Sequence, residues 1–396
     1  MTGASPVITD TASLAALCES LAATDYVTVD TEFMRERTFW PILCLVQIAG
    51  PEGAVAIDPL AEGIDLAPLF ALMNDPRVLK VFHAARQDCE IFHHLSGHVP
   101  MPLFDTQIAA MVCGFGDSVS YDHLVTKLTK ARIDKSHRFT DWARRPLTAK
   151  QLRYALDDVH YLRPIYERLA RRLDRGGRRA WVAEEMAALT DPDLYAQRPL
   201  NAWRRLKTRS VEPRFLAILR EVAAWREREA QGRDVPRNRV VRDEALLEIA
   251  SHPPATVADL ERLRGLGGGL ARGKVGQAIL AAVAEARALP DDECPRLERP
   301  APPPRGVGPV VDLLKVLLKM KAEQHNVAHR LIANADDLLR LAGDDAADVP
   351  ALHGWRREIF GADALALKSG ERALVIHGKH LALIPTPRPD SPGADA

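Results

Sequence analysis

Short apolar runs alternate with turn signals in the first part of the chain, and this pattern predicts β-strands. Four such runs occupy residues 26–29, 43–48, 54–57 and 78–82. Gly50 and Gly53, on either side of Pro51, mark the turn between the second and third runs. Because a helix-like segment at residues 66–73 precedes the fourth run, the order of elements predicts a mixed sheet with helices packed on it.

Beyond residue 84 the apolar residues recur at spacings of three and four, which predicts helices. Thr148 and Gln151 have the spacing of a capping box, so we expect a helix to begin there. A break at residues 191–193, centred on a proline, ends this part of the chain. We therefore place the first domain boundary just after the break.

The chain is helical again from Pro213, where the pattern predicts a compact unit of about four helices. Asp243 and Thr256 stand where helix N-caps are expected, and Gly265 is a plausible stop. A last helix near residues 275–288 completes this unit.

Seven prolines between residues 290 and 309 predict a linker with little regular structure. Beyond it, an amphipathic segment at residues 310–325 and a helix capped by Asn334 predict a second small helical unit. Two apolar runs at residues 373–376 and 381–384, separated by a glycine, predict a hairpin.

The chain is thus predicted to have five parts, with an α/β fold class for the first and all-α folds for two others. They are an α/β domain with a mixed sheet (1–195), a first helical domain (196–290), a Pro-rich linker (291–309), a second helical domain (310–384) and a tail predicted to be disordered (385–396).

Charge changes this picture only locally. The chain has 53 basic and 53 acidic residues, a balance that argues mildly against a nucleic-acid-binding protein. Residues 199–242, however, hold twelve Lys or Arg against five acids. That excess suits contact with phosphate backbones, or equally a solvated helical surface with Arg–Glu pairs.

Five scattered cysteines include no pair with metal-ligand spacing, which suits a reducing compartment. No apolar run approaches the roughly 18 residues that span a membrane, and the N-terminus has no signal-peptide pattern. We therefore expect a cytoplasmic protein without a membrane partner, and no obligate protein partner is indicated.

Asp30 and Glu32 follow the first apolar run. Side chains alternate along a strand, so these two carboxylates point to the same side. They repel each other unless a cation lies between them, and their oxygens suit Mg²⁺ or Mn²⁺. The alternative is a strand that simply ends in solvent.

Asp88 belongs to a helix start that follows the fourth strand and begins at His83. Ligand sites in open α/β sheets favour this edge, although a helix dipole also favours an acid in the first turn. Tyr154 and Asp158 lie four residues apart on the helix capped by Thr148, hence on one face. Their alternative roles are an interfacial tyrosine and a surface acid.

These three motifs, in this order, resemble the DEDDy 3′→5′ exonucleases. Residues 35–41, 45–48 and 141–147 also resemble segments of the ribonuclease D family, and the two helical domains resemble HRDC domains. The first HRDC resemblance is the clearer one. The resemblance implies a ribonuclease H-like fold and two divalent cations, Mg²⁺ or Mn²⁺, held by Asp30, Glu32, Asp88 and Asp158. It also implies that Tyr154 positions the attacking water.

The family implies a 3′→5′ exoribonuclease that releases nucleoside 5′-monophosphates and processes the 3′ ends of tRNA precursors. We expect four basic side chains to guide the RNA strand. They are Lys135, Arg138, Arg144 and Arg145. His83 lies at a family motif position, where a structural hydrogen bond is as plausible as catalysis. A DNA exonuclease acting in repair and a non-catalytic nucleic-acid-binding protein remain as alternatives, and no P-loop of a helicase is present.

Overall fold

The computed structural model describes residues 7–134, 140–266, 268–297 and 306–387. Within these ranges the α/β domain contains one six-stranded mixed sheet, as the sequence predicts. Its strands are β1 (Val7–Ile8), β2 (Tyr26–Met34), β3 (Ile42–Gly50), β4 (Gly53–Ile57), β5 (Leu79–Phe82) and β6 (Leu103–Asp105). No helix in the described part of the chain is both long and apolar enough to cross a bilayer.

The strand order is β1-β4-β3-β2-β5-β6. β2, β3 and β4 form an antiparallel meander, whereas β5 pairs parallel with β2 and β6 pairs parallel with β5. The outer strands β1 and β6 were not predicted, because runs of 2 and 3 residues are too short to show an alternating pattern. β2 lies inside the sheet, so the segment that carries Asp30 and Glu32 is held on both edges.

Eight helices accompany this sheet among the described residues. They are α1 (Thr11–Leu21), α2 (Ala67–Met73), α3 (Arg86–Ser96), α4 (Thr106–Val112), α5 (Tyr121–Leu124), α6 (Ala149–His160), α7 (Leu162–Gly176) and α8 (Arg179–Leu189). A π-helical turn over Val125–Thr129 follows α5, and a 3₁₀ turn over Pro192–Leu194 follows α8.

The predicted capping box at Thr148 is confirmed. The Thr148 backbone N–H donates to Gln151 Oε1 at 2.8 Å, and the Gln151 N–H donates to Thr148 Oγ1 at 3.3 Å. The helix it starts, α6, packs across β2, β3 and β4 through Ala155 and Val159, which are fully buried. Thr28 on β2 donates from its hydroxyl to the Val159 carbonyl at 2.8 Å, which fixes the end of α6 on the sheet.

The first helical domain contains a 3₁₀ segment and six helices among its described residues. They are Pro199–Arg205, α9 (Pro213–Gly232), α10 (Arg237–Val240), α11 (Asp243–Ser251), α12 (Val257–Arg262), α13 (Gly268–Arg272) and α14 (Lys274–Ala288). The predicted N-cap at Thr256 is confirmed, and it forms a capping box with Asp259. The prediction that Asp243 is an N-cap was one residue off, because Arg242 precedes the helix and Asp243 instead accepts a hydrogen bond from buried Arg226 at 2.6 Å.

The second helical domain combines helices with a terminal hairpin. Its described elements are α15 (Gly308–His325), α16 (His329–Ile332), α17 (Ala335–Gly343), a 3₁₀ turn (Pro350–Leu352), α18 (Gly354–Arg356), a π turn (Arg357–Gly361), α19 (Ala362–Lys368), β7 (Arg372–His377) and β8 (His380–Pro385). The predicted Asn334 cap and the hairpin are confirmed. Part of the predicted linker and most of the predicted tail lie outside the described residues.

The second helical domain packs on α8 of the α/β domain. Trp181 and Trp355 stack with ring centroids 4.5 Å apart and planes 11° apart. Arg356 pairs with Glu184 at 2.6 Å and also with Glu185, and Arg178 donates to the His325 carbonyl at 2.6 Å. Aromatic and charged contacts thus join the two ends of the chain.

We predict that Thr148→Ala lowers the stability of the α/β domain by about 1 kcal/mol, because α6 loses one half of its capping box. Urea unfolding followed by circular dichroism measures the change in midpoint. Thr148→Ser keeps the hydroxyl and should unfold close to the wild type. An unchanged midpoint in Thr148→Ala would show that packing of α6 on the sheet alone sets its position.

Candidate active site

Two carboxylates project from the middle of β2 rather than from its end. The sequence analysis placed Asp30 where the strand stops, but β2 continues to Met34. Hydrogen bonding to β3 extends the strand, as the pairs Asp30–Gln47 and Glu32–Leu45 show. Asp30 and Glu32 therefore share one side of a rigid strand, as the alternation predicts.

Helix α6 brings a third carboxylate to the same place. One ligand oxygen each from Asp30, Glu32 and Asp158 lies within 4.8 Å of the others. Tyr121 helps to hold Asp158, because its hydroxyl donates to the carbonyls of Asp157 and Asp158 at 3.1 and 2.5 Å. Sequence reasoning missed Tyr121, since a contact 37 residues along the chain has no local signature.

Asp88 lies beside this group of three but is not one of its converging ligands. It is only 6% exposed, and Thr31 Oγ1 donates to its Oδ1 at 2.5 Å. Thr31 stands between the two acids of β2, so its hydroxyl links Asp88 to the strand that carries them. The fourth acid of the predicted set is thus held by the same strand as the first two.

A buried acid that the sequence analysis missed shapes the turn before Asp88. Asp105 accepts the backbone N–H groups of Ala84 and Ala85 at 3.0 and 2.9 Å. It also caps α4 by accepting from Gln107 N at 2.7 Å. Ala84 has φ +59°, a left-handed conformation unusual for a residue with a Cβ. The one available signal was the Asp-Thr pair after two apolar residues, which is typical of a helix start.

The crowding of these acids raises their pKa values. Burial raises the pKa of Glu32 to about 9, helped by the charges of Asp158 and Asp88. Burial also raises the pKa of Asp88 and that of Asp158 to about 7. Asp30 has its pKa raised well above its ordinary value by burial first and then by its acidic neighbours. Burial is the largest cause of all four shifts, and nearby carboxylates raise each pKa further.

The donor set fits a hard divalent cation. Carboxylate oxygens are the ligands that Mg²⁺ and Mn²⁺ prefer, and their converging negative charge needs a cation to offset it. Gln47, paired opposite Asp30 across β2 and β3, is fully buried, and its side-chain N and O have no hydrogen-bond partner among the described residues. The fit to a divalent cation therefore rests on the convergence of Asp30, Glu32 and Asp158.

Cavities open on both sides of the acids. One of about 350 Å³ is lined by His83, Gln107 and Tyr121 among others, and one of about 870 Å³ opens on the other side. Three residues line both cavities, namely Asp30, Tyr154 and Asp158. The carboxylates of Asp30 and Asp158 therefore lie at the boundary between the two cavities.

Tyr154 lies on α6 one turn before Asp158. Its ring stacks on Trp142, with centroids 6.1 Å apart and planes 29° apart. Trp142 is 2% exposed, so it supports the tyrosine ring from behind. The phenol is thus oriented toward the acids by packing that does not involve substrate.

His83 contacts Thr106 and Tyr121 within the smaller cavity. Its Nδ1 lies 3.0 Å from Thr106 Oγ1, and its ring centroid lies 5.4 Å from that of Tyr121. Burial lowers the pKa of His83. The structural hydrogen bond anticipated in the sequence analysis is therefore present.

The four basic residues predicted to guide RNA do not share one environment. Lys135 and Arg138 lie outside the described residues, and Arg144 is exposed. Arg145 donates to both oxygens of buried Asp58 at 2.6 and 2.7 Å, and to the carbonyls of Trp142 and Cys44. The structure thus assigns the Arg145 guanidinium to anchoring the segment before α6, not to the cavity.

Comparison with known proteins identifies two family matches. A 3′–5′ exonuclease family model matches residues 6–174, and an HRDC domain model matches residues 215–283. The chain is 54% identical over 381 residues to ribonuclease D of Granulibacter bethesdensis, covering 96% of each chain. It is 55% identical over 370 residues to ribonuclease D of Nitrobacter hamburgensis, covering 93% of this chain and 97% of the relative.

Among solved structures, the chain is similar to Escherichia coli RNase D, an exoribonuclease involved in structured RNA processing. The TM-score is 0.78 at 33% identity, and the match covers 92% of this chain and 98% of that one. The similarity therefore extends over the α/β domain and both helical domains.

We predict that Asp30→Asn raises the melting temperature of the metal-free protein while abolishing its activity. The pKa values of these acids are higher in the folded chain than their ordinary values of 3.8 and 4.5. The unfolded chain therefore releases protons first, and the stability of the metal-free protein falls as pH rises from about 4 toward neutrality. Removing one charge should stabilise it by about 1 kcal/mol, or roughly 2–4 °C.

Differential scanning calorimetry at pH 5 and pH 7 in EDTA measures this effect. The gain should be larger at pH 7 than at pH 5, and Mg²⁺ or Mn²⁺ should stabilise the wild type more than the variant. Glu19→Gln, at an exposed position of α1, is the control and should leave the melting temperature unchanged. A lower melting temperature for metal-free Asp30→Asn would contradict the repulsion argument.

Proposed function

Because the chain belongs to the ribonuclease D family and is a 3′→5′ exoribonuclease, we propose that it hydrolyses the 3′-terminal phosphodiester of RNA at the acids of β2, α3 and α6. The products are nucleoside 5′-monophosphates. The observation that carries the proposal is the convergence of Asp30, Glu32 and Asp158 within 4.8 Å, with Asp88 buried beside them. The family resemblance expected from the motifs is confirmed.

The exonuclease domain depends on divalent metal, and we propose that Asp30, Glu32, Asp88 and Asp158 hold two such cations. Divalent cations bound at such a site supply a water activated at neutral pH and stabilise the charge on the leaving oxygen. The four carboxylates balance the cationic charge and set the geometry. Burial is the main cause of their raised pKa values, so bound cations would favour the ionised forms that burial disfavours.

The protein's own contribution to the reaction is orientation. Tyr154 borders both cavities and is held by its stacking on Trp142, so we propose that its hydroxyl positions the attacking water. Tyr121 holds the carbonyl end of Asp158 and so keeps that carboxylate in place. Thr31 does the same for the Asp88 carboxylate.

The two cavities suggest how the strand lies. We propose that the terminal nucleotide occupies the smaller cavity, of about 350 Å³, and that the preceding nucleotides follow the larger one, of about 870 Å³. The scissile phosphate then lies beside Asp30, Tyr154 and Asp158, which border both. Exposed Arg144, close to the larger cavity in sequence, is a candidate contact for the phosphate backbone.

We propose tRNA precursors with extra 3′ nucleotides as the substrates, and the cytoplasm as the location of the activity. Membership in a family of ribonucleases supports RNA as the substrate. It argues against the alternative of a DNA exonuclease acting in repair. The alternative of a non-catalytic nucleic-acid-binding protein conflicts with the enzymatic family and with the presence of all four acids.

The test is a time course on a 5′-labelled tRNA precursor with a short 3′ extension. We expect shortening in steps of one nucleotide with Mg²⁺ or Mn²⁺, none with EDTA, and at least a 1000-fold loss for Asp30→Ala, on the order of the effect of removing a group that acts directly in catalysis. A matched single-stranded DNA is the control. Preference for the DNA would favour the repair alternative, and loss of label from the 5′ end would contradict the proposed polarity.

Arg144 and Arg145 should differ in their roles. Arg144→Ala should weaken RNA binding, reduce the salt dependence of the dissociation constant by roughly one phosphate contact and leave stability unchanged. Arg145→Ala leaves buried Asp58 without its cation, so it should cost about 3 kcal/mol in stability. Fluorescence anisotropy across a salt series and urea unfolding separate the two effects. Equal loss of stability in both variants would rule out this distinction.

A further inference from the structure

The loop between β2 and β3, residues 35–41, forms one wall of the larger cavity. Glu36, Arg37 and Thr38 line that cavity together with the catalytic acids. Arg37 is exposed, and no carboxylate of the described residues pairs with its guanidinium. An exposed guanidinium on the wall of a cavity that leads to the metal-binding acids is suited to a phosphate of the incoming strand.

The loop is held at both ends by helix α3. Arg35 forms a bidentate pair with Glu90 at 2.7 and 2.8 Å. Trp40 stacks on His94 with ring centroids 4.0 Å apart and planes 8° apart. These contacts lie within the α/β domain and fix where the loop begins and ends.

A residue of the first helical domain binds the loop directly after the loop residues that line the cavity. Asp234 Oδ1 accepts the backbone N–H groups of both Phe39 and Trp40, each at 3.0 Å. Phe39 is 3% exposed and packs in the hydrophobic core of the helical domain, not in that of the α/β domain. The Arg237 guanidinium lies 4.4 Å from the centroid of the Phe39 ring. The loop is therefore built jointly by two domains.

Asp234 occupies the left-handed position of a helix C-terminus, directly after α9. Asp234 has φ +46°, a left-handed conformation that costs on the order of 1 kcal/mol or more for a residue with a Cβ. Hydrogen bonds from Asp234 N to Gln231 O and from Val235 N to Ala230 O hold it just after α9. From this position the carboxylate reaches the loop.

A buried ion pair supports the same corner. Arg237 donates to both oxygens of Glu227 at 2.6 Å, and Glu227 is fully buried. Arg205 lies 3.4 Å from the same carboxylate, so two arginines offset the buried charge of Glu227 and hold this corner together. The basic stretch noted in the sequence thus contributes part of its charge to this corner.

We propose that Asp234 is a positioning residue for RNA binding: it holds the loop so that Arg37 meets the phosphate backbone of the strand on its way to the acids. The proposal rests on the strand path given under the proposed function. It makes the first helical domain a part of the substrate cleft. Since the acids lie on β2, α3 and α6, Asp234 acts on binding of the strand and not on the chemical step.

The test compares two substitutions at Asp234 in the full chain. Asp234→Gly adopts the left-handed conformation without strain and removes only the acceptor. Asp234→Asn keeps an acceptor oxygen and tolerates that conformation. We expect Asp234→Gly to raise KM for a 5′-labelled single-stranded RNA about 5- to 10-fold with kcat nearly unchanged, the loss of one charged contact. Asp234→Asn should stay near the wild type.

A p-nitrophenyl ester of a nucleoside 5′-monophosphate separates this inference from the proposed function. This small substrate needs the acids and one nucleotide site but no strand path, so both variants should hydrolyse it like the wild type. No metal-dependent hydrolysis by the wild type would overturn the proposed function. An equal loss on RNA and on the ester in Asp234→Gly would overturn the positioning role alone.

Two further measurements test whether Asp234 acts on RNA binding through the loop and Arg37. Amide exchange at residues 35–41 should be faster in Asp234→Gly than in the wild type, while exchange within α9 is unchanged. Adding Asp234→Gly to Arg37→Ala should raise KM little beyond Arg37→Ala alone, because coupled residues are not additive. Full additivity, or an unchanged KM despite faster loop exchange, would refute the proposal.

Discussion

The mutual repulsion of carboxylates in a half-buried site is the constraint on which the rest of the structure depends. Asp30 and Glu32 are forced to the same side by the period of a strand, and Asp158 is brought against them by a helix. Carboxylates that repel one another cannot keep such a group in place by themselves. The surrounding hydroxyls, caps and rings hold it instead, as Thr31 does for Asp88 and Tyr121 does for the end of α6.

Sequence reasoning succeeded where the physical signal is local. The spacing of Asp30 and Glu32, the capping box at Thr148 and the four-residue step from Tyr154 to Asp158 are all visible within a few residues. It failed where the partner is distant. Nothing near Arg145 indicates that it will bind Asp58, 87 residues earlier, so an exposed cation and a buried anchor look alike in the sequence.

The balance of charge illustrates the same limit. A net charge of zero argued mildly against nucleic-acid binding, yet some of the basic charge is held in contacts inside the protein. Arg226 is 3% exposed, and Arg237 is committed to buried Glu227. A count of arginines therefore includes those that pair with acids inside the protein as well as those that can bind phosphate. The position of individual exposed side chains, such as Arg37 and Arg144, therefore matters more than the total.

The burial of Phe39 in a neighbouring domain has a practical consequence for dividing this protein into fragments. A fragment that ends near residue 195 would carry Phe39 and Trp40 on its surface, because the core that covers Phe39 comes from later in the chain. Exposed aromatic residues on a loop promote self-association. A catalytic fragment of this enzyme should therefore self-associate more than the full chain, and polar replacements of Phe39 and Trp40 should reduce that tendency.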